Sequence, residues 1–129
     1  AVAVNLMYEV SFFTVSGVVR GGYGQYISEF ITTFGLVMII HILVNNKSDA
    51  IPYAVGTYIF AAITYSSSTA FANPAVAIGR IFSSANASID PLSAFSFIII
   101  QVVAALISFQ VCKIFIAKDV KSKTKIKKK

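Results

Sequence analysis

The residues able to do chemistry are few in this chain of 129 residues, and they lie far apart. It has one His and one Cys, His41 and Cys112, too few for a Cys/His zinc site. Glu29 and His41 are twelve residues apart, which is about 18 Å along a helix, so they cannot form one catalytic pair. No nucleotide-binding loop is present. The sequence therefore predicts no enzyme, no metal site and no cofactor.

The sharpest polar signal is Asn73-Pro74, inside thirty uncharged residues between Asp49 and Arg80. Asn is a strong helix N-cap and Pro fits the first helical position, so we predict a short helix over residues 73–82. A helix this short cannot cross a bilayer. Non-helical backbone at membrane depth survives only inside protein or beside a water-filled cavity. A re-entrant half-helix therefore predicts a pore or binding site at its start.

The elements that position these residues are apolar. Hydrophobic residues make up 57% of the chain and charged residues 12%, with a mean hydropathy of +0.78, whereas soluble domains are roughly 25% charged. Apolar stretches at 25–44, 51–66 and 93–116 approach the length of a membrane span. We therefore expect an all-α membrane protein with three transmembrane helices and one re-entrant half-helix. Residues 1–24 indicate the end of a preceding element and an external loop.

The net charge of +6 resides in the C-terminal tail. From Lys113 onward there are eight Lys and one Asp, and the rest of the chain is close to neutral. Basic residues favour the cytoplasmic side, so we expect residues 117–129 to be a disordered cytoplasmic tail attracted to anionic membrane lipids. Nucleic acid is not an expected partner, because only Phe115 interleaves the charges. We expect a multi-pass protein of the cell membrane.

Phe71-Ala72-Asn73-Pro74-Ala75-Val76 resembles the second Asn-Pro-Ala motif of the aquaporin (major intrinsic protein) family. Glu29-x5-Gly35-x5-His41 is similar to the fourth membrane helix of bacterial members. Residues 20–25 resemble a branch with members linked to arsenic-resistance genes. The resemblance implies two inverted halves per channel and four channels per homotetramer. This chain would be the second half, and the first half would be missing.

The resemblance also implies site residues. Asn73, Pro74 and Ala75 would form the pore motif, where amide donors and the positive helix end repel cations. The selectivity filter would include Val76, Ala61, Ala70 and Arg80. Because many family members carry Arg where Val76 stands, we expect a wider filter that admits glycerol or undissociated arsenous acid.

Several roles stay open at this point. Arg80, one turn after Val76 on the same helix face, is either a displaced filter charge or an anchor at the membrane surface. Asn73 is either a pore donor or only a helix cap. Glu29 either supports the re-entrant loop or contacts solute, the former being favoured. His41 either lines the inner mouth or senses pH, or it is a packed or interfacial side chain, the last being favoured.

Two functions remain open as well. The first is a passive channel for water and small neutral solutes, formed together with another half. The second is an incomplete half-channel that only packs and assembles in the membrane. They differ in whether a second Asn-Pro-Ala half accompanies this chain. Antiparallel pairing of two copies would place one Lys-rich tail outside, which argues against that arrangement.

Overall fold

A computed structural model describes the backbone of residues 1–126 and the side chains of residues 1–116. This part of the chain contains helices and no strand, which confirms the all-α prediction for it. The elements are α1 (Val2–Met7), α2 (Tyr23–Asn45), α3 (Ile51–Tyr65), α4 (Pro74–Ile81) and α5 (Pro91–Ile126).

Two of these helices are long and apolar enough to cross a membrane, namely α2 and the part of α5 that runs from Pro91 to Ile116. The third predicted span corresponds to α3, which has 15 residues and rises about 22 Å, short of a hydrocarbon core of about 30 Å. It ends at Tyr65 because Ser66 adopts extended backbone. The expected three spans are thus two helices of spanning length and one shorter helix.

Polar contacts join α2 to both of its neighbours. The hydroxyl of Ser108 on α5 donates to the Phe34 carbonyl at 2.8 Å, and Ser108 is fully buried. The hydroxyl of Tyr58 on α3 donates to the Thr32 carbonyl at 2.9 Å. Gly35 makes room for this Tyr58 hydroxyl, because a Cβ at position 35 would overlap it. The three helices are therefore held by hydrogen bonds as well as by apolar packing.

The starts of α4 and α5 are capped by side chains. Asn73 Oδ1 accepts from the Ala75 N–H at 2.8 Å, and Pro74 occupies the first turn. Asp90 Oδ2 accepts from the N–H groups of Leu92 at 3.0 Å and Ser93 at 3.2 Å. A hydrogen bond from the Ser93 side chain, and to a lesser extent these two N–H groups, hold the pKa of Asp90 below its ordinary value. Both caps satisfy N–H groups that a helix cannot pair internally.

The C-terminal end differs from the expected disordered tail, because α5 continues to Ile126. No Gly or Pro follows Pro91, so nothing in the sequence interrupts the helix, and Lys and Ala are good helix formers. The predicted contact of the 117–129 tail with anionic lipids concerns side chains outside the described residues.

We expect Gly35→Ala to destabilise the protein, because the new methyl group meets the Tyr58 hydroxyl. Overpacking of this kind costs about 1–3 kcal/mol, more than the ~1 kcal/mol by which Ala favours a helix over Gly. The matched control is Gly56→Ala on α3, where a Cβ meets open space. Thermal unfolding in detergent measures both. Equal melting temperatures for the two variants would contradict the close approach at Gly35.

Candidate functional site

The candidate site is built on the connecting segment, residues 66–73, between α3 and α4. Thr69, Ala70 and Ala72 adopt left-handed backbone conformations, with φ of 60°, 45° and 47°. Such conformations cost about 1–3 kcal/mol each for residues other than glycine, and they persist only where the surroundings enforce them. The connecting segment must therefore be held by strong contacts.

Glu29 on α2 provides the central contact. Its side chain is fully buried. The Phe71 N–H donates to Oε2 at 3.3 Å, the Ala72 N–H donates to Oε1, and Gln101 Nε2 on α5 donates to Oε1 at 2.8 Å. A carboxylate is a strong acceptor for such donors in a low-dielectric interior. One side chain thus joins α2, the connecting segment and α5.

Serine side chains hold the outer part of the same segment against α2. The Ser28 hydroxyl lies 3.5 Å from the Ser68 N–H and 3.4 Å from the Ser68 hydroxyl. Ser67 donates to the Gly24 carbonyl at 3.2 Å. Ser68 Oγ also accepts from the Ala70 N–H at 3.3 Å, within the left-handed stretch. The serines that follow α3 therefore also hold the connecting segment against α2.

Phe71 is the apolar anchor of the segment and is only 2% exposed. Its ring packs edge-on against Phe97 of α5, with centroids 5.4 Å apart. The guanidinium carbon of Arg80 lies 4.2 Å from the Phe71 ring centroid, and that of Arg20 lies 5.4 Å from it. Arg80 Nη1 also donates to Thr69 Oγ1 at 3.4 Å. Two guanidinium groups therefore share one buried ring.

Residues of the N-terminal segment donate hydrogen bonds to backbone carbonyls at the C-terminal end of α4. Asn5 Nδ2 donates to the Phe82 carbonyl at 3.0 Å, and the Ser16 N–H donates to the Ile81 carbonyl at 2.7 Å. Arg20 donates from Nε to the Ser88 carbonyl at 2.6 Å. Burial lowers the pKa of Arg20, and the Glu29 carboxylate opposes this shift. Sequence reasoning missed these contacts, for which a polar Asn5 in an apolar run is the only local signal.

In the described part of the chain, two clefts adjoin α4 and the Asn73-Pro74-Ala75 motif at its start. The inner cleft lies beside the start of α4, and the outer cleft lies further along the helix. The inner cleft, of about 330 Å³, is lined by Asn73, Thr33, Gln101 and apolar side chains of α2 and α5. Thr33 Oγ1 and Gln101 Oε1 are buried there without a hydrogen-bond partner among the described residues. The outer cleft, of about 390 Å³, brings Val76 and Arg80 together. Its other lining residues are Gly79, Ser83, Ala85, Ala87, Ala1 and Val4.

The remaining expected site residues lie elsewhere. Ala61 is exposed on α3 and Ala70 is buried in the connecting segment, and neither lines the two clefts just described. His41 lies far along α2 from Glu29 and packs edge-on against Phe109, with centroids 5.1 Å apart. Lys113 Nζ lies 4.4 Å from the centroid of the same ring. Val76 and Arg80 therefore share the outer cleft, Asn73 lines the inner cleft, and His41 lines neither.

The chain is 37% identical over 102 residues to an aquaglyceroporin, AqpS, of Rhizobium meliloti (strain 1021). This similarity supports a relationship between the chain and the aquaporin family. It covers 79% of this chain and 44% of that protein, so the chain spans less than half the length of this relative. No family model matches the chain. No solved structure matches it significantly either. Together with the apolar α2 and α5, this similarity supports an integral membrane protein.

We expect Glu29→Ala to lower the free energy of unfolding strongly. The change leaves the buried N–H groups of Phe71 and Ala72 without an acceptor, at about 1–3 kcal/mol for each group. The matched control is Glu9→Ala, at an exposed position in the N-terminal segment. Denaturant unfolding in detergent compares the two. A loss no larger than that of the control would show that the carboxylate does not hold the connecting segment.

Proposed function

We propose that this chain contributes the second half of a passive membrane channel for water and small neutral solutes. The observation that carries the proposal is the position of Asn73, an exposed amide at the start of α4, on backbone held by buried Glu29. A polar, irregular segment fixed between two apolar helices of spanning length is the arrangement expected where backbone lines a solute path.

The chemistry needs only donors and acceptors held in place. Asn73 Oδ1 is used by the cap of α4, so its Nδ2 hydrogens serve as donors to a passing oxygen. The start of α4 adds unpaired N–H groups and about half a positive elementary charge. Carbonyl groups of residues 67–72 accept hydrogen bonds from the same solute. Neutral hydroxyl-bearing molecules are bound weakly in turn, whereas cations are repelled.

The proposed filter is wide and partly apolar. Val76 supplies an apolar surface in the outer cleft. Ala61 and Ala70 do not line that cleft, and we propose that they bound the path only where the facing half completes it. We propose glycerol and undissociated arsenous acid as solutes, as in the arsenic-linked branch that the sequence resembles. The similarity to a protein named an aquaglyceroporin supports this choice of solute size.

The proposed assembly is a homotetramer in the cell membrane, with the C-terminal end of α5 in the cytoplasm. Each path is completed by a facing Asn-Pro-Ala half, outside this chain, whose half-helix meets α4 near the centre of the membrane. Without that half, the chain would pack in the membrane and carry no solute.

Stopped-flow shrinkage of proteoliposomes tests the channel directly, using the full-length protein that contains this chain. We expect water, glycerol and arsenite to cross faster than in protein-free liposomes. Water flux with complete exclusion of glycerol and arsenite would contradict the wide filter. No flux of any of the three would favour the packing role without transport.

Val76→Arg tests the filter position. We expect glycerol and arsenite flux to fall at least about tenfold while water flux persists, because a long cationic side chain fills the outer cleft. Val76→Leu is the matched control, since it adds bulk without charge. The same assay measures both. Unchanged glycerol and arsenite flux in Val76→Arg would show that residue 76 lies away from the constriction.

A further inference from the structure

The guanidinium of Arg80 is held beside the connecting segment, and the residue is partly buried. Side chains on a helix lean toward its N-terminus, and Arg80 follows this rule. Its guanidinium packs on the Phe71 ring and donates to Thr69, and both residues precede α4 in the chain. Arg80 also lines the outer cleft with Val76. The structure thus does not favour a simple surface anchor.

Most of the N–H donors of Arg80 have no acceptor among the described residues. A guanidinium carries five N–H donors, and the described side chains give Arg80 one hydrogen bond, to Thr69. The nearby Arg20 differs, because its donors reach the backbone carbonyls of Ser88 and Asn86. The Glu29 carboxylate is engaged by the connecting segment and Gln101. Arg80 is therefore fixed in place while its charge and most of its donors stay available.

The rest of the outer cleft is mostly apolar. Val76, Val4 and three alanines line it, with Ser83 as the one hydroxyl-bearing residue. The Ser83 oxygen already accepts from the Ala85 N–H at 3.2 Å. The outer cleft therefore offers one guanidinium among mainly apolar residues.

We propose that Arg80 is the specificity-determining cation of the outer cleft and acts in place of an arginine at position 76. This inference rests on the proposed channel function. The solutes it fits are small neutral molecules with an accepting oxygen and an apolar side. Cations of the same size are excluded by its charge.

Urea and the guanidinium ion form a matched probe pair, because they are planar and of similar size but differ in charge. We expect the wild-type full-length protein to pass urea and exclude guanidinium. Arg80→Gln should lower the urea-to-guanidinium flux ratio at least about tenfold. Arg80→Lys, which keeps the charge, should retain the ratio within about threefold. A purely structural role would not separate Gln from Lys by charge discrimination.

A double-mutant cycle tests whether residues 76 and 80 act in one cleft. Val76→Arg alone places two guanidinium groups together and should reduce urea flux at least about tenfold. The same change in the Arg80→Gln background should recover urea flux to within about threefold of wild type, and it should restore exclusion of guanidinium. Equal losses in both backgrounds would mean that the two side chains are independent.

Lys113→Gln is the control, because it also removes a cation that packs on a phenylalanine ring, but away from the outer cleft. If Arg80→Gln does not assemble, Arg80→Met, which keeps an apolar stem, replaces it in both tests.

An unchanged urea-to-guanidinium ratio or an additive cycle would overturn the role of Arg80. Absence of water, glycerol and urea flux in the wild type would instead overturn the proposed channel.

Discussion

The hydrogen bonds between the Glu29 carboxylate and the backbone of the connecting segment are the contact on which the rest of the site depends. Three non-glycine residues there hold left-handed conformations, which are unfavourable by themselves. A buried carboxylate is a costly group as well, unless donors surround it. The cost of the left-handed backbone and the cost of burying the carboxylate are offset together, because this backbone directs the N–H groups of Phe71 and Ala72 toward the carboxylate. The direction in which α4 begins follows from this pairing.

A second constraint is that α4 is short and must have both ends satisfied. Asn73 serves the first turn. The carbonyls of Ile81 and Phe82 are served by Ser16 and Asn5, far away in the sequence. Unpaired backbone groups are expensive wherever water is scarce. Some polar side chains of this apolar chain, such as Asn5 and Asn73, accordingly serve backbone groups at the ends of helices, which lack partners inside their own helix.

What the sequence could predict depended on how local the signal was. Asn73-Pro74 encodes a helix start within two residues, and α4 begins at Pro74. The apolar stretches at 25–44 and 51–66 likewise predict helices, and the structure has α2 and α3 in these regions. The distant partners of Arg20 and Asn5, which lie 66 to 79 residues away, could not be predicted because they follow no periodic pattern. The packing of Arg80 on Phe71 depends on the left-handed backbone of the connecting segment, which its Thr and Ala residues do not predict. Charge alone predicts a disordered tail from residue 117, whereas the backbone of α5 continues to Ile126.

The long separations around Glu29 have a consequence for biosynthesis. Glu29 is made before Phe71, Ala72 and Gln101, its three hydrogen-bonding partners. While the chain elongates, α2 carries a carboxylate into the membrane region with none of them yet present, and an unpaired ionisable group there is unfavourable. Glu29 therefore gains its full set of partners only when α5 has been made, and the Ser28–Ser68 and Asn5–Phe82 contacts form only after 40 and 77 further residues exist. In this chain the polar residues that stabilise the finished site also set the order in which it can be assembled.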